Sequence, residues 1–256
     1  MKSLLKAMDI VDALAENGSA GIRKLSTITG LPPSTIHRIA STLLERRYLN
    51  QDPVTKRYAL SFRFLELGTK VQQQFNLSSI AKPHLERLMA ETKESVNLAV
   101  RDGDSVVYLD HIRSHFAMLQ LFTRPGARVP LYATGVGKMF LSQLSDSELD
   151  EYLKRTRRMP FTSRTLVKRD EILRELASIR VRGYAVDNEE MEEGVRCVAA
   201  LVFDHQRQPI AAVSISGAAM RILPERFDFF GKDVKRCVLA ISQDLGFPVE
   251  ASSNQP

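Results

Sequence analysis

Apolar positions at helical spacing dominate the first 75 residues, and hairpin-linked strand patterns alternate with helices beyond them. Leu4, Met8, Val11 and Ala15 step by four, three and four, which predicts the apolar face of a first helix. Asn17-Gly18-Ser19 closes it with breaker residues. Ile22, Leu25 and Ile28 predict a second, short helix stopped by Gly30. Leu31-Pro32-Pro33-Ser34 reads as a turn, and proline is tolerated in a first helical turn, where its missing N–H costs little. Ile36, Ile39 and Leu43 then stripe a third helix ending near Arg47. Tyr48-Leu49-Asn50 and Lys56-Arg57-Tyr58-Ala59-Leu60 flank a turn at Asp52-Pro53-Val54-Thr55 and read as a hairpin. Three helices and a basic hairpin are the layout of a winged helix-turn-helix, whose second and third helices read DNA.

Residues 61–75 predict a further helix, with Phe64, Leu67, Val71 and Phe75 on one stripe. Such a stripe between two modules needs a partner. It packs either on its own domains or across a dimer, the symmetry that DNA half-sites ask of a reader. Helices are predicted at 77–92, 134–144, 172–181 and 227–245. Strands are predicted at 96–100, 106–112, 118–122, 184–187, 196–203 and 210–216. The first two strands are joined by the hairpin turn Arg101-Asp102-Gly103-Asp104. Helices segregated around a hairpin-linked sheet argue for an α+β fold, not a parallel βαβ one.

Composition narrows the class. With 44% apolar and 26% charged residues in 256, the chain reads as one or two globular domains with a core that needs no staples. No apolar run approaches the roughly 18–20 residues that span a bilayer, and Met1-Lys2-Ser3-Leu4-Leu5-Lys6 lacks the apolar stretch of a secretory signal. Cys197 and Cys237 form no disulfide framework and no CxxC zinc pattern, so a reducing cytoplasm is the expected compartment.

The charge is unevenly placed. Between positions 21 and 63, Arg23, Lys24, Arg38, Arg46, Arg47, Lys56, Arg57 and Arg63 are opposed only by Glu45 and Asp52. That stretch therefore carries the whole net charge of +6, and the remainder sums to zero. A local excess on a balanced chain suggests a polyanion-binding module joined to something that binds other things; a solvated helix face is the plain alternative. On the third helix Ser34, Thr35, His37, Arg38 and Thr42 lie off the apolar stripe. Ser34, Arg38 and Thr42 follow at intervals of four and share a face. Arg38 can fork onto a guanine, while Ser34 and Thr35 stand where helix-start N–H groups favour phosphate. Lys56 and Arg57 on the wing would meet the DNA backbone or minor groove.

The second half offers three clusters. Tyr132-Ala133-Thr134-Gly135-Val136-Gly137-Lys138 opens a helix with small residues; it lacks P-loop spacing, and a glycine there is ordinarily just a turn. Residues 187–193 hold five carboxylates without EF-hand spacing or an adjacent histidine, so a solvated acidic loop is the default and no metal is expected. Asp187 and Cys197 differ from their neighbours in lying in or at the end of strands. Ser214 and Ser216 point to one side of a strand, lining either a pocket or a solvent face. An enzyme would need Cys197 as nucleophile with His111, His115 or His205 as base, yet nothing pairs them, and GxSxG, HExxH and the Rossmann fingerprint are absent. No catalytic residue and no cofactor is expected. The competing reading is a metabolite-sensing or enzymatic domain that does not act through DNA, which a gel shift would separate.

The chain resembles the IclR family of bacterial transcription regulators over almost its whole length. Gly183-Tyr184-Ala185-Val186-Asp187-Asn188-Glu189-Glu190 and Glu193-Gly194-Val195-Arg196-Cys197-Val198-Ala199-Ala200 carry the strongest likeness. Leu31-Pro32-Pro33-Ser34-Thr35-Ile36-His37-Arg38 is similar to the family's helix-turn-helix, Lys56–Leu60 to its wing, and Ala133–Lys138 to its loop before a helix. The resemblance implies a winged helix-turn-helix over residues 1–60, a linker helix over 61–76 and a GAF-like effector domain over 77–250, with 251–256 a flexible tail. Its sheet is expected to be antiparallel and flanked by helices. It further implies a homodimer, often a dimer of dimers on operator DNA, that governs catabolic operons in response to a small carboxylate or aromatic-acid effector. Carried over by position, Gly135 and Val136 would offer N–H groups to a carboxylate. Asp187, Cys197, Ser214 and Ser216 would add polar contacts, and Met118, Leu121, Val129 and Val195 an apolar wall. Val136 is bulkier than the small residue often found at that place, which would narrow the pocket.

Overall fold

Two stretches of chain, Met1–Phe75 and Asn76–Pro256, each gather a core of their own. A computed structural model describes residues 2–74, 77–114 and 123–248. In the first unit α1 (Lys2–Asn17), α2 (Ile22–Thr29) and α3 (Pro33–Glu45) close around Ile10, Leu14, Leu25, Ile36 and Ala40. Gly30 ends α2 in the left-handed region at φ 69°, where its N–H donates to the Ser26 carbonyl. The Ser26 hydroxyl in turn donates to the Leu31 carbonyl at 2.7 Å, locking the turn that leads into Pro32 and Pro33. On α3 Ile36 and Ile39 are buried and Leu43 half-buried, as its stripe predicts.

The stripe predicted for α1 is not the one that packs. Leu4, Met8 and Ala15 are exposed, whereas Ile10, Ala13 and Leu14 are buried with Val11 beside them. Both sets recur at helical spacing, so periodicity offers α1 two faces and contact with the neighbouring helices chooses one. On α2 only Leu25 of its predicted stripe is buried, and Ile28 is exposed.

The wing consists of β1 (Leu49–Gln51) and β2 (Tyr58–Leu60), paired antiparallel. Asp52 Oδ1 accepts the Val54 and Thr55 N–H groups at 2.9 and 2.7 Å, which closes the turn. Those bonds, Thr55's first, hold the Asp52 carboxyl below its ordinary range. Tyr58 also exchanges both backbone hydrogen bonds with Ala20 at 2.9 Å, pinning the wing to the chain between α1 and α2. α4 (Arg63–Gln74) follows, its half-buried Phe64 edge-on to Tyr48 at 5.5 Å. Leu67 is half-buried too; Phe75 and the side chain of Val71 lie outside the described residues.

In the second unit α5 (Leu77–Thr92) precedes β3 (Ser95–Asp102), β4 (Ser105–Ile112) and β5 (Arg128–Pro130). Then come α6 (Gly135–Leu141), α7 (Asp146–Arg155) and α8 (Arg169–Arg182). β6 (Ala185–Asn188), β7 (Val195–Phe203), β8 (Pro209–Ala218) and α9 (Phe227–Asp244) complete it. The strands form one antiparallel sheet in the order β5-β4-β3-β8-β7-β6, so the fold is α+β. Alternate residues serve opposite faces. Val96, Leu98, Val198, Val213 and Ile215 meet α5 and α9 in one core. Ala99, Ala199, Leu201 and Ala212 share the other with Met139, Leu149, Tyr152, Ile172 and Leu176. The small alanines let α6 come close, and Gly137 tightens that approach: a Cβ there would stand 2.2 Å from the Leu131 carbonyl oxygen.

Two elements go beyond the pattern analysis. β5 is a three-residue edge strand ending in proline, too short to show alternation. α7 is highly polar, although its start carries a full capping box in which Ser145 and Glu148 each satisfy the other's backbone N–H. The strand predicted at 118–122 and the tail at 251–256 lie outside the described residues.

Candidate functional site

The first unit presents its candidate residues to solvent. Arg23, Ser34, His37, Arg38, Thr42, Lys56 and Arg57 are exposed, and Thr35 is half-exposed. The structure divides them between two hollows. His37 of α3 lines one with Arg23, Lys24, Ser41 and Lys56, so helix-turn-helix and wing contribute to one basic surface. Arg38 and Thr42 line another, bordered by Leu4, Met8, Tyr48 and Phe64. The Thr42 hydroxyl donates to its own helix at the Arg38 carbonyl, 3.2 Å away. Arg57 is tied back, its Nε donating to Ser19 Oγ at 3.1 Å and its Nη2 to the Ser19 carbonyl. It therefore anchors the wing as well as charging it. Lys24 was noted from sequence only as part of the charge excess, and Ser41 not at all; Ser41 lies four residues after His37, the spacing that would have shown it.

The second unit holds a cavity of about 270 Å³ over the sheet face that carries α6. Of the residues expected from sequence, Val129, Asp187, Val195, Cys197 and Ser216 line it. Strand register explains the grouping, because Asp187 pairs with Cys197 and Cys197 with Ser216 in one row across β6, β7 and β8. Ser214 lies in the neighbouring row opposite Asn97, which in turn pairs with His111. Asn97 Nδ2 donates to Ser214 Oγ at 3.1 Å and to Ser216 Oγ at 3.0 Å, and His111 Nδ1 lies 2.6 Å from Asn97 Oδ1. Gly135 and Val136 are wholly buried and are not among the described wall residues. Gly135 packs against Cys197: a Cβ there would stand 3.0 Å from its sulfur. Thr134 stands at the wall in their place. Met118 and Leu121 lie outside the described residues.

Burial governs the chemistry here. Asp187 Oδ1 accepts the Glu190 N–H at 2.7 Å and the Met191 N–H at 3.4 Å, yet burial, reinforced by Glu190, pushes its carboxyl up to about 7. Burial and the Asp187 charge push the Cys197 thiol up to about 12, so at neutral pH it is a thiol and a poor nucleophile. Burial raises the Tyr108 phenol as well, leaving a neutral hydroxyl beside the cavity. The wholly buried Lys138 of α6 pairs with Glu190 and lies 3.8 Å from Glu175. Among the described residues no three His, Cys, Asp or Glu side chains converge as a metal site. Tyr108, Phe161 and Met191 of the wall were not found from sequence, because they enter from a distant strand and from loops. Asn97 had a signal: a polar residue inside the apolar run Val96–Val100.

Comparison with known proteins decides the relationship. The helix-turn-helix model of the IclR family matches residues 3–53, and the model of the bacterial transcriptional regulator IclR C-terminal domain matches residues 69–243. The chain belongs to the IclR family. It is 33% identical to the HTH-type transcriptional regulator XynR of Escherichia coli, over 97% of this chain and 98% of that one. It is 34% identical to the E. coli transcriptional repressor IclR, over 96% and 90%. The crystal structure of the Thermotoga maritima IclR covers 96% of this chain and all of that one, at TM-score 0.78 and 35% identity. These IclR-family relatives are DNA-binding transcriptional regulators, and the chain is of that class, not an enzyme. Among the described residues no helix is long and apolar enough to cross a membrane.

Proposed function

We propose that the chain controls a catabolic operon from the cytoplasm, binding operator DNA through its first unit and releasing or gripping it according to a small organic acid held in its second. The observation that carries this reading is the 270 Å³ cavity with Asp187, Cys197 and Ser216 on one strand row, a few convergent polar groups in an apolar wall. Arg23, Ser34, Thr35, His37, Arg38, Thr42, Lys56 and Arg57 meet the operator, Arg38 at base edges and Lys56 at phosphate. The working segments are residues 1–60, 61–76 and 77–250. Val129, Val195 and the two residues outside the described set, Met118 and Leu121, form the apolar wall, with Ser214 supporting Ser216 from behind.

The regulator works as a homodimer. The exposed Leu4, Leu5 and Met8 on α1, and the exposed Phe62 and Leu65 near the start of α4, are apolar side chains that a second copy would cover. An effector acts only if it prefers one arrangement of the dimer. A change of a few ångströms in recognition-helix spacing would misalign half-sites about 34 Å apart. Fluorescence anisotropy on the DNA upstream of the protein's own gene, with and without effectors found by thermal-shift screening of small carboxylates, tests the scheme. Tight, salt-sensitive binding that an acid changes at least tenfold supports it. No binding at low ionic strength by a folded chain overturns it. Sedimentation with and without effector reports whether a dimer of dimers forms or dissolves.

A further inference from the structure

A second hollow, of about 560 Å³, lies beside β6, the last strand in the sheet order, and shares no described lining residue with the cavity over Asp187. Val186 and Asn188 line it, and strand alternation turns them away from Asp187. Glu175 and Arg182 reach it from α8, Arg164 and Leu166 from the chain before α8, and Phe227 from the start of α9. Glu190 also lines it, and its carboxylate is only half satisfied. The residue is 5% exposed, its Oε1 takes Lys138 Nζ, and among the described residues nothing donates to its Oε2. A buried carboxylate oxygen without a donor costs free energy, so the hollow holds an acceptor that the fold leaves unmatched.

The groups around that oxygen sort into acceptors and donors. Glu175 Oε1 accepts Arg182 Nη2 at 2.6 Å and stands 3.8 Å from Lys138 Nζ, so Lys138 gathers both carboxylates to one place. Arg182 is committed, its Nε donating to the Tyr184 carbonyl at 2.6 Å. Arg164 is exposed and more loosely held. Its described ion pair is a 3.5 Å approach to Glu189 Oε1, an oxygen that Arg196 Nη2 already serves at 2.9 Å. Asn188 Oδ1 accepts Arg196 Nε at 2.7 Å, which leaves the amide Nδ2 as a donor. The wall thus offers acceptors at Glu175 and Glu190 and donors at Arg164 and Asn188.

The charges of the wall cancel, Arg164 and Arg182 against Glu175 and Glu190. A ligand with one charge would upset that balance, and a zwitterion would not. An ammonium group at Glu190 would also offset the burial that raises its carboxyl. Leu166, Val186 and Phe227 supply an apolar surface. A cavity of about 150 Å³ accommodates benzene, so 560 Å³ has room for an aromatic side chain and the two charged groups of an amino acid.

We propose that this hollow is a second ligand site, for a free α-amino acid with a bulky apolar side chain. The ammonium group bridges Glu190 and Glu175, the carboxylate lies on Arg164 and Asn188, and the side chain covers Phe227, Leu166 and Val186. The site stands whether or not the cavity over Asp187 holds the effector.

The test is calorimetric titration of the full chain at neutral pH with L-phenylalanine and L-leucine. Each is compared with its amide, which lacks the carboxylate, and its N-acetyl derivative, which lacks the ammonium group. At least one amino acid should bind, with both of its derivatives ~10–100-fold weaker. Arg164→Ala, at an exposed position, should bring the amino acid and its amide to within a few-fold of each other. Glu190→Gln, which keeps an acceptor for Lys138, should do the same for the amino acid and its N-acetyl derivative. Thermal unfolding of each variant separates lost binding from lost fold, and if Glu190→Gln fails to fold, Arg164→Ala alone decides. A derivative that binds as tightly as its amino acid would overturn the zwitterion clamp. Binding that neither substitution changes would place the ligand away from this hollow. No binding by either amino acid would mean that the second oxygen of Glu190 meets only a proton or water, and the site would fall. Each of these failures leaves the effector reading of the other cavity standing, since that reading is tested by small carboxylates and operator DNA.

Discussion

The two units place their polar atoms in opposite ways. In the first, the candidate side chains stand in water on the outside of a small apolar core, and what matters is their number and the surface they share. In the second, Asp187, Asn97, Ser214, Ser216 and Lys138 are buried, and each matters through the one or two atoms it faces. An exposed charge costs little and tolerates movement, as phosphate contacts do. A buried one is expensive unless matched, so it specifies geometry. The first unit should therefore lose function by increments, the second by collapse.

The sharpest break of that contrast is Gly137→Ala. Its Cβ would collide with Leu131 backbone atoms at 2.2–2.7 Å, so the second unit should lose ~3 kcal/mol or more, or fail to fold, while the first keeps its helical signal. Denaturant unfolding followed by circular dichroism reads this. Lys138→Met removes the cation from Glu190, whose second carboxylate oxygen has no hydrogen-bond partner. A loss of ~3–5 kcal/mol at pH 8 is expected, shrinking at pH 5 as Glu190 takes up a proton.

Asp187 sharpens the contrast through pH. Its carboxyl is raised from 3.8 to about 7, so the folded chain holds that proton where the unfolded chain has released it. Stability from this group is thus full below about pH 4 and falls as pH rises to about 7, by at most ~4 kcal/mol. Asp187→Asn should flatten that part of the Tm profile between pH 5 and 8; an unchanged slope would assign the pH dependence to other groups. Arg38→Ala should weaken operator binding ~5–100-fold and relax base preference at one position of each half-site, measured by anisotropy on single-base variants. Lys56→Ala should have the smallest effect, a uniform loss of a few-fold on all sequences with the salt slope reduced by about one. If Lys56→Ala proved base-selective and Arg38→Ala did not, the assignment of helix and wing would be exchanged.

Much of the first unit was legible in its residue pattern. Gly30, Pro32 and Pro33 punctuate the chain between two helices, and Asp52 marks the wing turn, because turns act on near neighbours. The charge excess needed no structure to be seen. The face of α1 was illegible because Leu4–Met8 and Ile10–Leu14 are both helical stripes, and only α2 and α3 distinguish them. In the second unit Asp187, Cys197, Ser214 and Ser216 could be picked out, but not Tyr108, Phe161 or Met191. Nor could it be seen that Gly135 packs against the Cys197 sulfur.

Local patterning was thus enough for most element types, for the helix-turn-helix and its wing, and for a basic front half, since these depend on neighbours within a few positions; it did not show the three-residue β5 or the polar α7. Tertiary structure alone settled which α1 face is buried, that Asp187, Cys197 and Ser216 form one row, and that Lys138 is consumed by Glu190 and Glu175. Register couples residues tens of positions apart, and a one-residue slip would turn that row to the opposite core. No spacing along the chain records which strand lies beside which, and the cavity exists only once they are paired.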